Sequence, residues 1–167
     1  MKHLKFYMIA GVFFVLILGS LSHFFYEWSD NNVFIGLFSP VNESTWEHMK
    51  LLFFPMLLYS VIPVFRFRED CVCMKSAFFS GILLGTLSIP VIFYTYSGIL
   101  GYNVPVLDIG TFAVSVFIAF YFSWRLTLTC RIQKYAWPVY AAVWLMAISF
   151  LVFSVFPPDI ALYKSPV

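Results

Sequence analysis

The sequence predicts an all-α integral membrane protein: a bundle of five transmembrane helices, N-terminus inside and C-terminus outside. Three observations predict it. Of 167 residues, 62% are hydrophobic, 22% are aromatic and only 11% are charged, whereas soluble domains carry about 45–50% apolar and about 25% charged residues. A chain this short leaves much of its surface outside any core, so the apolar surplus faces lipid. The apolar residues also fall into five segments, each close to the roughly 20 residues that a helix needs to cross the hydrocarbon layer. Finally, the period-two alternation of a barrel strand is missing, and only helices and closed barrels satisfy their backbone in lipid.

The spans are expected near 6–26, 45–65, 75–97, 107–129 and 137–156, within one domain covering 1–167. The first follows Met1-Lys2-His3-Leu4-Lys5 and looks at first like a secretory signal. Its apolar stretch is longer than a signal core of about 7–15 residues, and no small-residue cleavage site follows, so it reads as a retained span. The second span carries Pro55 and Pro63, and the third carries Pro90. Each interior proline removes a backbone hydrogen bond and kinks its helix, which either opens a cleft between the two spans or merely curves the bundle. The third span also carries Gly81, Gly85 and Ser88, a small-residue stripe suited to close helix contact. The fourth opens as Leu107-Asp108-Ile109 after Pro105, where Asp108 reads as an N-cap. Pro138 sits where it helps to start the fifth. No internal repeat is present, which argues against an inverted-repeat transporter.

Orientation comes from the basic residues. Lys2 and Lys5 precede the first span; Arg66, Arg68 and Lys75 lie between the second and third; Arg125, Arg131 and Lys134 lie between the fourth and fifth. These share one side, which the positive-inside rule assigns to the cytoplasm. A cell membrane is expected, a bacterial plasma membrane in particular. Arg125 is expected to snorkel to the headgroups. The net charge of +2, with no basic run interleaved with an aromatic platform, excludes nucleic acid as a partner. Membrane lipids, a protein partner or a second copy of the chain remain. Cys71, Cys73 and Cys130 fall at the cytoplasmic side, where thiols stay reduced. A C-x-C pair plus one further cysteine lacks a fourth zinc ligand, so all three are expected to be free.

The chemistry concentrates in Pro40-Val41-Asn42-Glu43-Ser44-Thr45-Trp46-Glu47-His48-Met49-Lys50. Charges clustered at a span's mouth call for an explanation. Glu43, Glu47 and Lys50 would share one helical face, with His48 about 100° away from Glu47. His48 would then need a partner from another helix, and His23, at the outer end of the first span, is the candidate. His23, His48 and Glu47 would make a ligand set suited to a divalent metal such as Zn²⁺, able to activate water at the outer surface. Glu47, Glu43 and His48 are the candidate catalytic groups; His23, Asn42, Lys50 and Asp108 are the candidate ligand-binding groups. Lys50 would meet an anionic headgroup or stabilise a neighbouring carboxylate. A structural reading competes. Ser44-Thr45-Trp46-Glu47 matches a capping box, Glu47 and Lys50 form an i,i+3 pair, and Tyr26, Trp28 and Trp46 suit an interfacial belt. Asn42-Glu43-Ser44 is a glycosylation sequon, discounted because the chain reads as bacterial. No HExxH, HxxxH or HxxE spacing supports the metal.

The run Phe38 to Lys50, followed by Phe54-Pro55, resembles the signature of a family of small bacterial integral membrane proteins of unknown function, approximately F-x-P-V-N-E-S-x-W-E-H-x-K. A preceding histidine like His23, an L-D-I like Leu107-Asp108-Ile109 and a Pro-Pro tail like Phe156-Pro157-Pro158 extend the resemblance over most of the chain. It implies a polytopic membrane fold and brings no activity. Three functions stay open. The first is a membrane-embedded binding protein or enzyme with an outward-facing site for a lipid or isoprenoid-like ligand. The second is a structural or assembly subunit of a larger membrane complex. The third is a small solute or ion transporter, disfavoured because the charges sit at the edges rather than the midplane.

Overall fold

The structure is a computed structural model describing residues 3–164; Lys2 and the C-terminus at Val167, both used in the orientation argument, lie outside the described residues. Among the described residues there are helices and no strands. They run α1 (Leu4–Trp28), α2 (Val33–Gly36), α3 (Thr45–Arg66), α4 (Met74–Leu100), α5 (Pro105–Thr129) and α6 (Ala136–Val155), with 3₁₀ turns at Arg131–Tyr135 and Ala161–Tyr163. Among the described residues, five helices are long and apolar enough to cross a membrane; α2 is a single turn.

α1 shows why lipid is the solvent. Its inward stripe is Leu4, Met8, Gly11, Val15, Gly19 and Ser22. Its outward stripe is Phe6, Ile9, Phe13, Ile17, Leu21 and Phe24, all exposed. A helix of a soluble protein turns a polar face outward; this one is apolar on both. α3 and α4 form the centre, each with 56% of its most apolar stretch buried, against 28% for α1 and 17% for the last span. Between them and α5 and α6 lie Leu52, Phe53, Met56, Phe78, Ile82, Val116 and Phe150, all fully or nearly fully buried.

The small-residue stripe packs as expected, against α5. A Cβ at Gly81 would meet Ser123 Oγ and lie 2.5 Å from Ala119 O; one at Gly85 would strike Ala119 Cβ and lie 3.0 Å from Ser115 O. The absence of side chains lets the two backbones meet. Pro55, Pro63 and Pro90 lie inside helices α3 and α4.

Three expectations need correction. Trp46 is not in the interfacial belt. It is 8% exposed and packs on Phe150 and on Tyr163 of the returning tail, with ring centroids 4.7 and 4.9 Å away. Trp28 is exposed, as a belt residue is. Asp108 is not a cap, because α5 starts earlier, at Pro105, with Val104 at the cap position and no side-chain cap bond. Nor are all three cysteines free. The start of α4 and the end of α5 meet, with Cα atoms of Cys73 and Cys130 5.5 Å apart, and the two are disulfide-bonded; that separation lies in the ordinary range for a bridge. Cys71 is the free one.

Helix alternation gives the bundle two chemically distinct ends. Lys5, Arg66, Arg68, Lys75, Arg125, Arg131 and Lys134 lie at one, with the cysteines. The end of α1, the start of α3, the end of α4 and the start of α5 meet at the other.

Candidate functional site

The polar end is organised by the start of α3. Ser44 caps the helix, its Oγ accepting from the Glu47 amide at 3.3 Å, which is half of the expected capping box. The other half does not form: the Ser44 amide donates to Asn42 Oδ1 at 2.9 Å. Glu47 is thereby released for other bonds. Its Oε2 accepts from Lys50 Nζ at 2.6 Å and from the Val41 amide at 3.0 Å, and its Oε1 accepts from Ser154 Oγ of α6 at 2.9 Å. Lys50 Nζ also donates to Gly36 O at 2.9 Å and Ser39 O at 3.4 Å. Glu47 is 2% exposed and Lys50 0%. The pair satisfies its own charges and ties the 36–41 segment to α3 and α6. It lies away from any surface that a headgroup could reach.

Glu43 takes the position that the sequence suggested for Glu47. It precedes the helix, which begins at Thr45, so the helical-face argument does not apply to it. Its Oε2 lies 3.5 Å from His23 Nε2 and 3.4 Å from His48 Nε2. The imidazole centroids are 5.3 Å apart, so the expected meeting of the two histidines occurs. His48 Nδ1 lies 3.0 Å from Ser44 O. A carbonyl oxygen only accepts, so Nδ1 carries the hydrogen and the free electron pair of neutral His48 sits on Nε2. That pair then faces a carboxylate oxygen. Two acceptors at this distance repel unless a proton or a metal ion sits between them.

His23, Glu43 and His48 line one rim of a cavity of about 620 Å³ between α1, α3, α4 and α5. Its walls include Phe24, Leu51, Ile89, Phe93, Ile109 and Phe112. Asp108 lines the same cavity. One of its carboxylate oxygens accepts a hydrogen bond from Tyr96 Oη, and the other lies 3.5 Å from Asn103 Nδ2. The site is therefore an apolar hollow with polar groups at its margin, the usual character of a small-molecule site.

A family model described as a family of unknown function (DUF6512) matches residues 1–167. The chain belongs to that family. No curated protein and no solved structure matches it.

Of the sequence-predicted residues, His23, Glu43, His48 and Asp108 reach the cavity, Glu47 and Lys50 form the buried pair beside it, and Asn42 turns back to hold the Ser44 amide. Sequence reasoning missed Tyr96, Asn103 and Ser154. Each is one polar residue near a helix end or in a loop, with no spacing signal. Only the crossing of helices makes Tyr96 a partner of Asp108 and Ser154 a partner of Glu47.

Proposed function

We propose that this protein is a membrane-embedded binding protein or enzyme whose cleft takes an amphipathic ligand, lipid or isoprenoid in character, with a divalent cation such as Zn²⁺ held by His23, His48 and Glu43. The observation that carries the reading is the convergence of two imidazoles and a carboxylate at the rim of an apolar cavity. In tetrahedral zinc sites the bond lengths of about 2.0–2.1 Å place ligand atoms about 3.4 Å apart. The two nitrogen–oxygen separations are 3.5 and 3.4 Å, and all three ligand atoms lie within 4.8 Å of one another. The Ser44 carbonyl fixes the His48 ring with Nε2 turned to the site, as the outer partners of metal-bound histidines do. Three protein ligands leave a coordination position open, which suits activation of water or polarisation of a bound headgroup.

On this reading Glu43 and His48 act at the site, and Glu47 is a positioning residue that holds the segment before them. The apolar walls would take the ligand's chain and Asp108, with Asn103, its polar part. The basic residues of the opposite end support an N-terminus in the cytoplasm and a cleft opening outward, in a bacterial plasma membrane.

The test uses the full chain in detergent micelles, with Co²⁺ as the probe. Stoichiometric binding should give the visible absorption of a tetrahedral site, and Zn²⁺ should displace it. His23→Ala and His48→Ala should each lose the band while keeping the helical circular-dichroism signal. A band unchanged in both variants, or no band in the folded wild type, refutes the metal reading. Retention of a co-purified lipid by the wild type, and its loss on filling the cavity with Ile109→Trp, tests the ligand separately.

A further inference from the structure

We propose that Cys71, Cys73 and Cys130 form a thiol–disulfide exchange centre at the basic end of the bundle, in which the disulfide migrates between two pairings. Three observations carry this. Cys73 and Cys130 are bonded, joining the start of α4 to the end of α5. The remaining thiol, Cys71, is buried with its sulfur 3.3 Å from that of Cys73. Cys130 is exposed, whereas Cys73 is fully buried. An attacking thiol is thus already in contact with one sulfur of a disulfide whose other cysteine is exposed.

The step is balanced and redox-neutral. The Cys71 thiol loses its proton to solvent, and the thiolate attacks Cys73 Sγ. The Cys71–Cys73 bond forms as the Cys73–Cys130 bond breaks, and Cys130 leaves as a thiolate that takes up a proton. Thiol–disulfide exchange follows this course generally, at rates set by the thiolate fraction and by access. The result is a reactive thiol at the surface without any external oxidant or reductant. Cys130 can then attack an exposed disulfide of low molecular weight, or of a partner protein, giving a mixed disulfide and releasing one thiolate. Reversal begins with attack by an incoming thiol on the Cys130 sulfur. The Cys71–Cys73 pairing also releases the covalent tie between α4 and α5. Where a disulfide occurs in a reducing compartment it is generally transient, catalytic or redox-sensing rather than structural, which agrees with a basic, cytoplasm-facing end. The centre is independent of the cleft at the other end.

The experiment uses the full chain purified without reductant and folded in detergent. Brief labelling with iodoacetamide is followed by acid quenching and peptide mapping. Wild type should carry label on Cys130, with a matching fraction of the 69–75 peptide unlabelled and closed by an internal Cys71–Cys73 disulfide. Cys71→Ser and Cys71→Ala should both lose the Cys130 label and retain the Cys73–Cys130 link. Two variants separate loss of the thiol from a polar or packing effect. Label confined to Cys71 in the wild type, over hours, shows a static disulfide and overturns the proposal. So does Cys130 label that persists in both variants, or three labelled thiols after treatment with diamide.

Discussion

Replacing Lys50 by methionine should be among the most damaging single changes in this protein, and the damage should be partly cured by a second substitution. Lys50 is fully buried and its ammonium holds Glu47 Oε2, Gly36 O and Ser39 O. Methionine has nearly the same length and no charge. Lys50→Met therefore preserves the packing but strands the Glu47 carboxylate and two carbonyls. Removing one partner of a buried ion pair costs about 3–5 kcal/mol. For a chain of 150–250 residues each kcal/mol moves the melting temperature by about 2–4 °C, so a fall of about 6–20 °C is expected. Glu47→Gln/Lys50→Met removes both charges, while glutamine still offers an oxygen to the Val41 amide. It should recover at least about 1 kcal/mol of coupling, several degrees above Lys50→Met alone. Intrinsic-fluorescence melting in one detergent is the assay. A Lys50→Met protein melting within about 2 °C of wild type, or a double variant no better than the single, would refute the view that this pair fixes the loop. Co²⁺ binding adds a second readout. Glu43 hangs from the same loop, so Lys50→Met should weaken binding even below its own melting point.

Gly85→Val should cost at least about 1–3 kcal/mol through overpacking against α5, whereas Gly98→Ala, with open space around it, should be neutral by the same melting assay. Trp46→Ala removes the ring that seats Phe150 and Tyr163; a loss of about 3–5 kcal/mol is expected, together with faster proteolysis beyond Pro157 in the detached tail. A reporter fused after Val167 should be active only outside the cytoplasm. Activity of that fusion inside, with an N-terminal reporter outside, would reverse the assigned orientation.

The helices were legible because their signal is redundant: each span is long, mostly apolar and separated from the next by a more polar connection. The His23–His48 meeting was legible for a related reason. Consecutive spans with a short connection pack antiparallel, so residues near the connection share a level. The identity of the carboxylate between the two imidazoles was not legible. The face calculation placed Glu43 on the same helix as Glu47, yet α3 begins at Thr45, and a residue two positions before a helix obeys no helical period. The role of Glu47 depended on Ser154, more than a hundred residues away, and on two carbonyls of the 36–39 segment. The cysteine pairing could have been weighed from topology alone, since Cys73 and Cys130 bound the α4–α5 hairpin. The compartment argument overrode the geometry.

The dense motif around the start of α3 makes sense once its residues are sorted by direction. Glu43 and His48 point to the cleft, Ser44 caps the helix, Trp46 seats the tail and α6, and Glu47 with Lys50 turns inward. A charged pair is an expensive way to anchor a loop, because apolar residues of similar volume frequently serve stability better. What the pair offers is direction. Lys50 binds two carbonyls of the 36–41 segment and a carboxylate, and the carboxylate binds the Val41 amide of the same segment and a hydroxyl of α6. Greasy contacts would let the 36–44 segment slide; these bonds fix its register. A carboxylate that must sit between two imidazoles within tenths of an ångström needs such a register. If the proposed metal site exists, it explains the buried pair better than the stability the pair adds, and the Co²⁺ signal of the charge-neutral double variant separates the two. Recovered melting with a still-broadened or lost band is the outcome this reasoning requires.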